Sequence, residues 1–493
     1  MANGPELYFG IVTPLASDAT GIREALVARL SHFGYASVIL RLSEYLDAAL
    51  GEPVFQSPHE DERINHYMDS GNRLCQRNNR EDAVIGPALA VLRSQRSRVS
   101  KEGYPAQRTA FVFSSLKRPL EVDRLRQIYG RNFYLISAQA PLQSREDRLF
   151  ALLQRTRANP ALARQRAQEL IKIDRSQAEE PFGQNVLQTF PLGDLFIDTS
   201  LPGEPTQSIN RLVNLIFSEQ SDPWGTPTAP EYAMTVAWNS MLRSGSLTRR
   251  VGAALMDDRG AIIATGSNEV PRSGGGQFFP EHPDDARDIA KGIDFSRLRM
   301  REAVMDLIGR LSDAGRLAAD TVEEFDEDPD LLTGQLFDGP LKESVLRTVV
   351  EYHRSAHAEE SALIDAARRG VPTQGLVLYC TTFPCHLCAK LLLAAGISSV
   401  SYIEPYPKSL AEAMYQESIA SEQTQLGGLT LVPYLGISPT RYSELFVRGR
   451  SLSSSVVASE RRPIGSDDWS FLIVKEREDE AMADLIGNST QGE

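Results

Sequence analysis

The segment from His357 to Cys388 reads HAEESALIDAARRGVPTQGLVLYCTTFPCHLC and combines a histidine, a glutamate and a Cys-x-x-Cys pair within one short stretch. The imidazole of His357 and the thiolates of Cys385 and Cys388 are three ligands that suit a tetrahedral zinc ion, with the fourth position left for water. Glu359 lies outside this ligand set and is a carboxylate that can carry protons. The pattern predicts one catalytic zinc ion, with Glu359 as the catalytic group.

Three further residues near this segment bear on the type of zinc site. A structural site normally has four protein ligands, and Cys380, on the apolar run before Cys385, is the obvious additional candidate. Its place in that run predicts buried packing instead. His386 is predicted to lie at the surface or beside the ligands. His353, one helical turn before His357, could be a ligand or a neighbour of one, and the spacing leaves both open.

The residues around the motif predict a mixed sheet covered by helices. A helix is expected to begin at His357 and to end at Gly370, and a buried strand to follow at 375–380. Cys385 then opens a second helix, so both ligand segments lie at helix N-termini. Upstream, residues 251–268 read as two strands joined by an Asp-Asp-Arg-Gly turn, which predicts a hairpin.

A long insertion separates this hairpin from His357. It begins at the triple glycine 274–276 and becomes acidic between Glu323 and Asp330. Such a segment is either a flap over the site or a solvated loop, and the acidic composition favours a loop for 323–330.

The N-terminal third has a different pattern. A strand at Leu7–Thr13, an amphipathic helix and a strand at Ala36–Arg41 open a parallel α/β domain. The first loop stands where a P-loop would cradle phosphates, but it has Ala16 and no Gly-Lys-Ser/Thr ending. We expect a P-loop kinase-like fold without kinase activity that binds a nucleotide or nothing. The candidate nucleotide-binding residues are Gly10, Thr13, Ser17 and Asp18.

The length of 493 residues predicts more than one domain. A Pro-rich and Ser-rich segment at 218–230 predicts a linker, with the boundary near residue 222. The expected organisation is a degenerate P-loop nucleotide-kinase-like domain at 1–222, a zinc-binding domain of the α/β/α type at 223–450 and a polar, partly mobile tail at 451–493.

Composition narrows the class of protein. The net charge of −13 argues against broad, non-specific binding to a nucleic-acid backbone. The chain has four cysteines, three of them close together, which is unlike a secreted disulfide framework. The sequence begins without a signal-peptide pattern and contains no apolar run long enough to span a membrane. These features predict a cytoplasmic protein that does not contact a membrane.

The motifs carry a family resemblance. R-R-V-G-A at 249–253, G-S-N at 266–268, H-A-E at 357–359 and T-T-F-P-C-H-L-C at 381–388 resemble the cytidine and deoxycytidylate deaminases over roughly 230–440. A narrower resemblance, to bacterial anti-phage deoxycytidylate deaminases that destroy dCTP and dCMP, rests on E-P-Y-P-K-S at 404–409 and on the degenerate P-loop domain. Further matching strings are D-S-G-N-R-L (69–74), S-L-K-R-P (115–119), G-Q-N-V (183–186) and G-D-L-F-I-D (193–198).

The resemblance implies roles for individual residues. Asn268 would contact the sugar of a deoxycytidine nucleotide, and the backbone of Ala358 would hold the base. Arg249, Arg250 and Lys408 are candidate phosphate contacts, with surface salt bridges as the alternative for all three. A regulatory nucleotide or another inhibitor would bind the N-terminal domain, and the protein is expected to be a homo-oligomer.

Two other functions stay open from the sequence. The same zinc chemistry could act on cytosine or adenine within RNA or DNA, although the acidic chain lacks the basic stripe that such a substrate requires. Alternatively, the N-terminal domain could be a nucleotide sensor and the protein a regulator, although the intact Glu359 speaks against a dead enzyme.

Overall fold

The computed structural model of the chain describes residues 4–101, 104–177, 180, 182–218, 225–341, 344, 352–420, 428–446, 463 and 470–487. These residues form two compact units, Met1–Glu231 with Leu435–Glu493, and Tyr232–Tyr434. Among the described residues, none of the helices has both the length and the apolar character that a membrane span requires.

From the N-terminus to residue 242 the elements are β1 (Leu7–Val12), α1 (Ala19–His32), β2 (Ala36–Arg41), α2 (Leu46–Leu50), α3 (Glu60–Asn78), α4 (Ile85–Val99), β3 (Thr109–Ser114), α5 (Pro119–Tyr129), β4 (Phe133–Gln139), α6 (Leu142–Gln154), α7 (Pro160–Arg175), α8 (Val186–Thr189), β5 (Leu195–Asp198), α9 (Glu204–Ile216) and α10 (Ala229–Leu242). The later elements are β6 (Gly252–Met256), β7 (Ile262–Ser267), α11 (Asp288–Lys291), α12 (Phe295–Asp313), α13 (Ala319–Glu327), α14 (Pro329–Asp338), α15 (Ala358–Arg368), β8 (Val377–Thr382), α16 (His386–Ala394), β9 (Ser399–Glu404), α17 (Ala411–Met414), β10 (Ile419–Ala420), β11 (Leu429–Pro433), β12 (Gly436–Ile437), α18 (Tyr442–Phe446) and α19 (Phe471–Gly487). Short 3-10 turns lie at Leu42–Tyr45, Gly130–Asn132, Phe190–Leu192 and Pro439–Arg441.

The first unit is built on a six-stranded sheet in the order β12-β5-β4-β1-β3-β2. β1 to β5 pair in parallel, and β12 adds an antiparallel edge to β5. β1 has the sequence LYFGIV and is buried at every position, as expected for a central parallel strand covered on both faces. The predicted parallel α/β architecture is confirmed, and its kinase-like character stays a prediction.

The C-terminal helix α19 packs onto this first unit. Its residues Val474 and Leu485 belong to the same apolar core as Phe111 and Leu125. Arg96 lies between Glu6, the residue directly before β1, and Glu478 of α19. Its guanidinium donates two hydrogen bonds to each carboxylate, with lengths of 2.7–2.8 Å, and both carboxylates are fully buried. A buried charge of this kind is tolerated because every partner is paired.

The contacts therefore divide the chain differently from the predicted domains. Residues 435–446 and 470–487, which the sequence analysis assigns to the second domain and to a tail, group with the N-terminal unit. The apolar face of α19 explains why this part of the polar tail is packed. The tail residues 451–462, 464–469 and 488–493, and residues 219–224 of the predicted linker, lie outside the described part of the chain.

The second unit contains the other sheet, ordered β10-β11-β9-β8-β6-β7. β6 and β7 form the predicted antiparallel hairpin, and β8, β9, β11 and β10 run parallel to one another. Helix α15 crosses the hairpin at very close range. A Cβ atom at Gly266 in β7 would collide with the carbonyl oxygen of Ala358, so glycine at this position sets the approach of the helix to the sheet.

The acidic part of the insertion is helical, and the prediction of a solvated loop at 323–330 was wrong. Residues 319–327 form α13 and 329–338 form α14, whose first turn is capped by the Asp328 carboxylate accepting from the backbone N–H of Leu331 at 2.9 Å. Phe325 packs beside Phe337 and residues of α12 in a small apolar cluster. The apolar residues between the acids provide the buried face that a helix pair needs.

Candidate metal centre and substrate pocket

The three predicted metal ligands meet where two helices begin. His357 is the residue directly before α15, and its backbone N–H donates to the side chain of Glu360 at 3.2 Å, which fixes the start of the helix. Cys385 is the residue directly before α16, and Cys388 lies in the first turn of that helix. Strand β8 leads into Cys385, so the sheet fixes the position of one ligand segment and the close packing of α15 fixes the other.

The side chains of these residues converge. The Nδ1 atom of His357 lies 3.4 Å from Sγ of Cys385 and 3.3 Å from Sγ of Cys388. A zinc ion with ordinary Zn–N and Zn–S bonds in tetrahedral geometry separates such atoms by roughly 3.6 Å. All three ligand atoms lie within 4.8 Å of one another. The donor types and their spacing therefore fit a zinc ion, as predicted.

The described residues supply no fourth ligand to this group. Cys380 is fully buried within β8 and lies outside the group, as its apolar surroundings predict. Nδ1 of His353 lies 3.0 Å from Nε2 of His357, which is the ring nitrogen opposite the one that faces the cysteines. His353 is therefore a neighbour of a ligand, which resolves the alternative left open by the sequence. Three protein ligands leave one position open, as catalytic zinc sites do.

The electrostatics of the ligand group favour a bound cation. Hydrogen bonding from Cys388 lowers the pKa of the Cys385 thiol, with a further contribution from His357, so that this cysteine is a thiolate. The pKa of Cys388 is correspondingly raised, first by its hydrogen bond to Cys385 and then by burial. The pKa of His357 is raised to about 9 despite its burial, because its side chain hydrogen-bonds to Cys385. A metal ion that binds the three residues would displace the protons that they carry.

Glu359 is almost completely buried beside the ligands, with 4% of its surface exposed. Burial raises the pKa of its carboxyl group to about 7, because the charged form loses its hydration. Glu359 does not belong to the ligand group. A carboxyl group that ionises near neutrality can both accept and donate a proton, which is the property that the sequence analysis assigned to this residue.

The ligand group opens onto a cavity of about 300 Å³. Its walls include the metal-facing residues His357, Glu359 and Cys385. Of the predicted substrate contacts, Arg249, Asn268 and Ala358 line the cavity, and Arg250 and Lys408 do not. Arg250 and Lys408 are exposed to solvent. The structure therefore separates the two neighbouring arginines, although the sequence offers no distinction between them.

Asn268 lines the cavity and also supports its wall. Its side-chain Oδ1 accepts from the backbone N–H of Val251 at 2.7 Å, and its Nδ2 donates to the backbone carbonyl of Arg249 at 2.8 Å. Asn268 thus fixes the turn that presents Arg249. Nε of Arg249 lies 3.6 Å from the Glu404 carboxylate, and its guanidinium is 5.8 Å from the ring centre of Tyr406.

Several lining residues were not predicted. Thr382 and Tyr406 belong to the quoted strings T-T-F-P-C-H-L-C and E-P-Y-P-K-S, so their proximity to the motif was a usable signal. Asp288, Asp294 and Ser296 come from the insertion. Arg354 ties this part of the insertion to the segment before His357, since it donates to the Asp288 carboxylate at 2.5 Å. No motif in the sequence marks these insertion residues.

The four candidate nucleotide-binding residues of the first unit do not form one cluster. Gly10 lies inside β1, where a Cβ atom would come within 3 Å of Leu116, Phe133 and Leu135. Close packing is therefore enough to explain why this position is a glycine. The other three, Thr13, Ser17 and Asp18, lie in the loop between β1 and α1. Asp18 caps α1 by accepting from the backbone N–H of Gly21 at 3.0 Å.

Residues 227–404 match the family model described as "Cytidine and deoxycytidylate deaminase zinc-binding region". The match agrees with the resemblance drawn from the motifs, and the matched segment contains His357, Glu359, Cys385 and Cys388. The predicted zinc cofactor is confirmed. Deaminases of this family are zinc-dependent hydrolases, and the buried glutamate beside three ligands agrees with that class.

Curated relatives match this chain over short segments. The chain is 38% identical to the ComE operon protein 2 of Bacillus subtilis over 78 residues, which are 15% of this chain and 40% of that protein. It is 26% identical to the probable deoxycytidylate deaminase of Drosophila melanogaster over 173 residues, 35% of this chain and 58% of the relative. It is 39% identical to the deoxycytidylate deaminase of Enterobacteria phage T4 over 67 residues, 12% of this chain and 35% of the relative. The chain therefore spans less than two thirds of each of these relatives.

Among solved structures, the dCMP deaminase from the cyanophage S-TIM5 aligns with 42% of this chain and 99% of its own. The sequence identity is 18% and the TM-score is 0.23, values too low to support an inference about substrate.

Proposed function

We propose that this protein is a zinc-dependent deaminase of deoxycytidine nucleotides, which converts dCMP and dCTP to dUMP and dUTP and releases ammonia. The observation that carries the proposal is the buried Glu359 beside a His/Cys/Cys ligand group with an open fourth position, at the wall of a cavity of about 300 Å³. Relatives that bear the name deoxycytidylate deaminase support the choice of a deoxycytidine nucleotide as substrate.

The reaction replaces the C4–N bond of cytosine with a C4–O bond and consumes one water molecule. A zinc ion held by His357, Cys385 and Cys388 would lower the pKa of a water molecule that it binds. Glu359 would accept the proton of this water and donate it to the ring N3. As the water oxygen bonds to C4, the second proton of the water remains on that oxygen. The Glu359 carboxylate would accept this second proton and pass it to the amine, so that the C4–N bond breaks, ammonia leaves, a C4 carbonyl forms and the carboxylate is restored.

The remaining cavity residues would position the nucleotide. The backbone of Ala358 would hold the base beside Glu359, and Asn268 would contact the deoxyribose while it fixes the turn at Arg249. The guanidinium of Arg249 would receive the phosphate, because it is the arginine of the predicted set that lines the cavity. Arg250 and Lys408 are outside this proposal, since neither lines the cavity.

We further propose that the activity serves anti-phage defence in the cytoplasm, by depletion of dCTP. The support is the resemblance of the motifs and the presence of an N-terminal α/β unit in front of the deaminase region. That unit would hold the enzyme inactive through a nucleotide or another inhibitor, and the protein would act as a homo-oligomer.

The test is ammonia release from the zinc-loaded protein, with dCMP, dCTP, CTP, deoxycytidine and a cytosine-containing oligonucleotide offered separately. The proposal predicts turnover of dCMP and dCTP and none by Glu359→Ala. Turnover of the oligonucleotide alone would favour a polynucleotide deaminase. Absence of ammonia from every substrate would remove the enzymatic proposal altogether. For the defence role, the dCTP pool of infected bacteria should fall with the wild-type protein and stay unchanged with Glu359→Ala.

A further inference from the structure

The loop between β1 and α1 binds a carboxylate side chain from another part of the same chain. The backbone N–H of Leu15 donates to the carboxylate of Asp174 at 2.6 Å. Asp174 lies near the C-terminal end of α7 and is completely buried. The carboxylate has thus been brought from a distant helix to the place where the loop offers a donor.

A lysine completes this arrangement. The Nζ atom of Lys117, which follows β3, lies 2.6 Å from the other carboxylate oxygen of Asp174 and donates to the backbone carbonyl of Thr13 at 2.9 Å. The Lys117 side chain is 19% exposed. This loop itself has no Gly-Lys-Ser/Thr ending. The structure places a lysine against the loop from the neighbouring strand end.

An amide N–H and an ammonium group that converge on one carboxylate are the donors that also bind a phosphoryl oxygen. More cationic groups lie close by. Burial lowers the pKa of Arg145 in α6, and the nearby carboxylate of Asp174 partly offsets this effect. Arg148 of the same helix donates to the backbone carbonyl of Ala16 in the loop at 3.1 Å. If Asp174 left, Lys117 and Arg145 would remain as cations without that carboxylate, which is the setting in which an added anion is stabilised.

We propose that residues 13–17 and Lys117 form an anion-binding position that Asp174 occupies, and that a phosphoryl group binds there only when Asp174 is displaced. The ligand class is a phosphate ester or inorganic phosphate. Asp174 is then an internal competitor, and the affinity measured for an external anion is lowered by the small fraction of molecules in which it has left. Since Asp174 belongs to α7, a bound phosphoryl group excludes the contact between this helix and the loop. This proposal does not depend on deamination.

The experiment is calorimetric titration of the full chain with inorganic pyrophosphate. Asp174→Ala should bind pyrophosphate at least about tenfold more tightly than the wild type. The double variant Lys117→Ala/Asp174→Ala should lose this gain. Glu169→Ala removes an exposed carboxylate from the same helix α7 and should leave the affinity unchanged, which controls for net charge. Any binding in the cavity of the other unit is common to all variants and cancels in the comparison.

Asp174→Asn keeps the size of the side chain and replaces the alanine variant in the titration if that variant does not fold. It too should bind pyrophosphate more tightly than the wild type. A titration with dATP, which carries no cytosine, distinguishes the source of the phosphoryl group. Binding tighter than that of pyrophosphate indicates a nucleotide, and equal binding indicates a site for phosphate alone. The proposal is overturned if folded Asp174 variants bind pyrophosphate no better than the wild type, or if the gain survives loss of Lys117.

Discussion

The Nδ1 atom of His357 lies 3.3 Å from the Sγ atom of Cys388, and this contact joins the N-termini of two helices that a strand separates in the sequence. The other ring nitrogen of His357 is 3.0 Å from His353. One nitrogen therefore faces the cysteines and the other is held from behind, which is how metal-binding histidines are usually oriented. Several measurable consequences follow from this site and from the groups around it.

Loss of a ligand should remove the metal. Cys388→Ser is expected to lower zinc affinity by more than about 100-fold. Loss of a residue that only hydrogen-bonds to a metal ligand already lowers affinity by about 10- to 100-fold, and loss of a ligand itself should have a larger effect. Zinc content of the purified protein, measured by atomic emission, checks this. Cys380→Ala is the matched control, since Cys380 is a buried cysteine outside the ligand group and its loss should cost only about 1 kcal/mol of stability. Equal zinc content in the two variants would contradict the assignment.

Glu359→Gln should separate catalysis from metal binding. The amide keeps the size of the side chain but cannot accept the proton of water, so the turnover number for dCMP should fall by about 10²- to 10⁴-fold. Zinc content should remain that of the wild type, because Glu359 is not in the ligand group. A variant that lost its zinc would show that Glu359 supports the metal site, and one that kept its turnover would exclude it as the proton carrier.

The neighbours Arg249 and Arg250 should behave differently. Arg249→Ala is expected to raise KM for dCMP by about 10- to 100-fold, the usual effect of losing a charge-assisted hydrogen bond. Its activity towards deoxycytidine, which has no phosphate, should change little. Arg250→Ala is the control, because Arg250 does not line the cavity. Equal effects of the two substitutions, or an equal effect on nucleotide and nucleoside, would contradict the assignment of Arg249 to the phosphate.

Asp82 should make the stability of the first unit depend on pH. Burial alone would raise the pKa of its carboxyl, but hydrogen bonds from Arg80 and Arg124, the shortest 2.7 Å, outweigh burial and lower the pKa. Because the folded pKa is depressed, the stabilisation is present above the unfolded pKa and is lost as the pH falls through the folded pKa. Asp82→Asn should therefore cost about 1–3 kcal/mol of unfolding free energy at pH 7.

The same cost should shrink as the pH falls below about 4, because the carboxyl of the unfolded chain takes up a proton there while that of the folded protein is still charged. Urea denaturation of both proteins at a series of pH values measures the difference. A difference that stayed constant into the acid range would show that the substitution acts through packing and not through the charge.

The sequence predicted the metal ligands because their chemistry depends on residue types at short spacing. His357, Cys385 and Cys388 each stand next to a helix start that local signals also predict. The apolar pattern of β1 likewise predicted a strand of a parallel sheet, and the patterns of β6 and β7 predicted their hairpin. Information of this kind is contained within a few residues of each element.

The rest of the cavity depends on contacts between distant segments. Arg249 and Arg250 are adjacent and chemically equal, and only the folded turn held by Asn268 decides that one of them faces the cavity. Asp288 and Asp294 come from an insertion without a motif. The acidic stretch contains few apolar residues, but Phe325 within it packs against a cluster that contains Phe337 and residues of α12, and a contact between such distant residues has no local signal. Lys117 reaches the first loop from another strand, and no local pattern shows this.

The docking of α19 has a practical consequence for work on the first unit alone. A fragment that ends at residue 222 would lack Val474, Leu485 and the carboxylate of Glu478, so part of its core would face water. Arg96 would keep only Glu6 as its carboxylate partner. Such a fragment is expected to aggregate, and a failed ligand titration on it would say nothing about the intact protein. The helix supplied as a separate peptide should bind this fragment and restore its solubility.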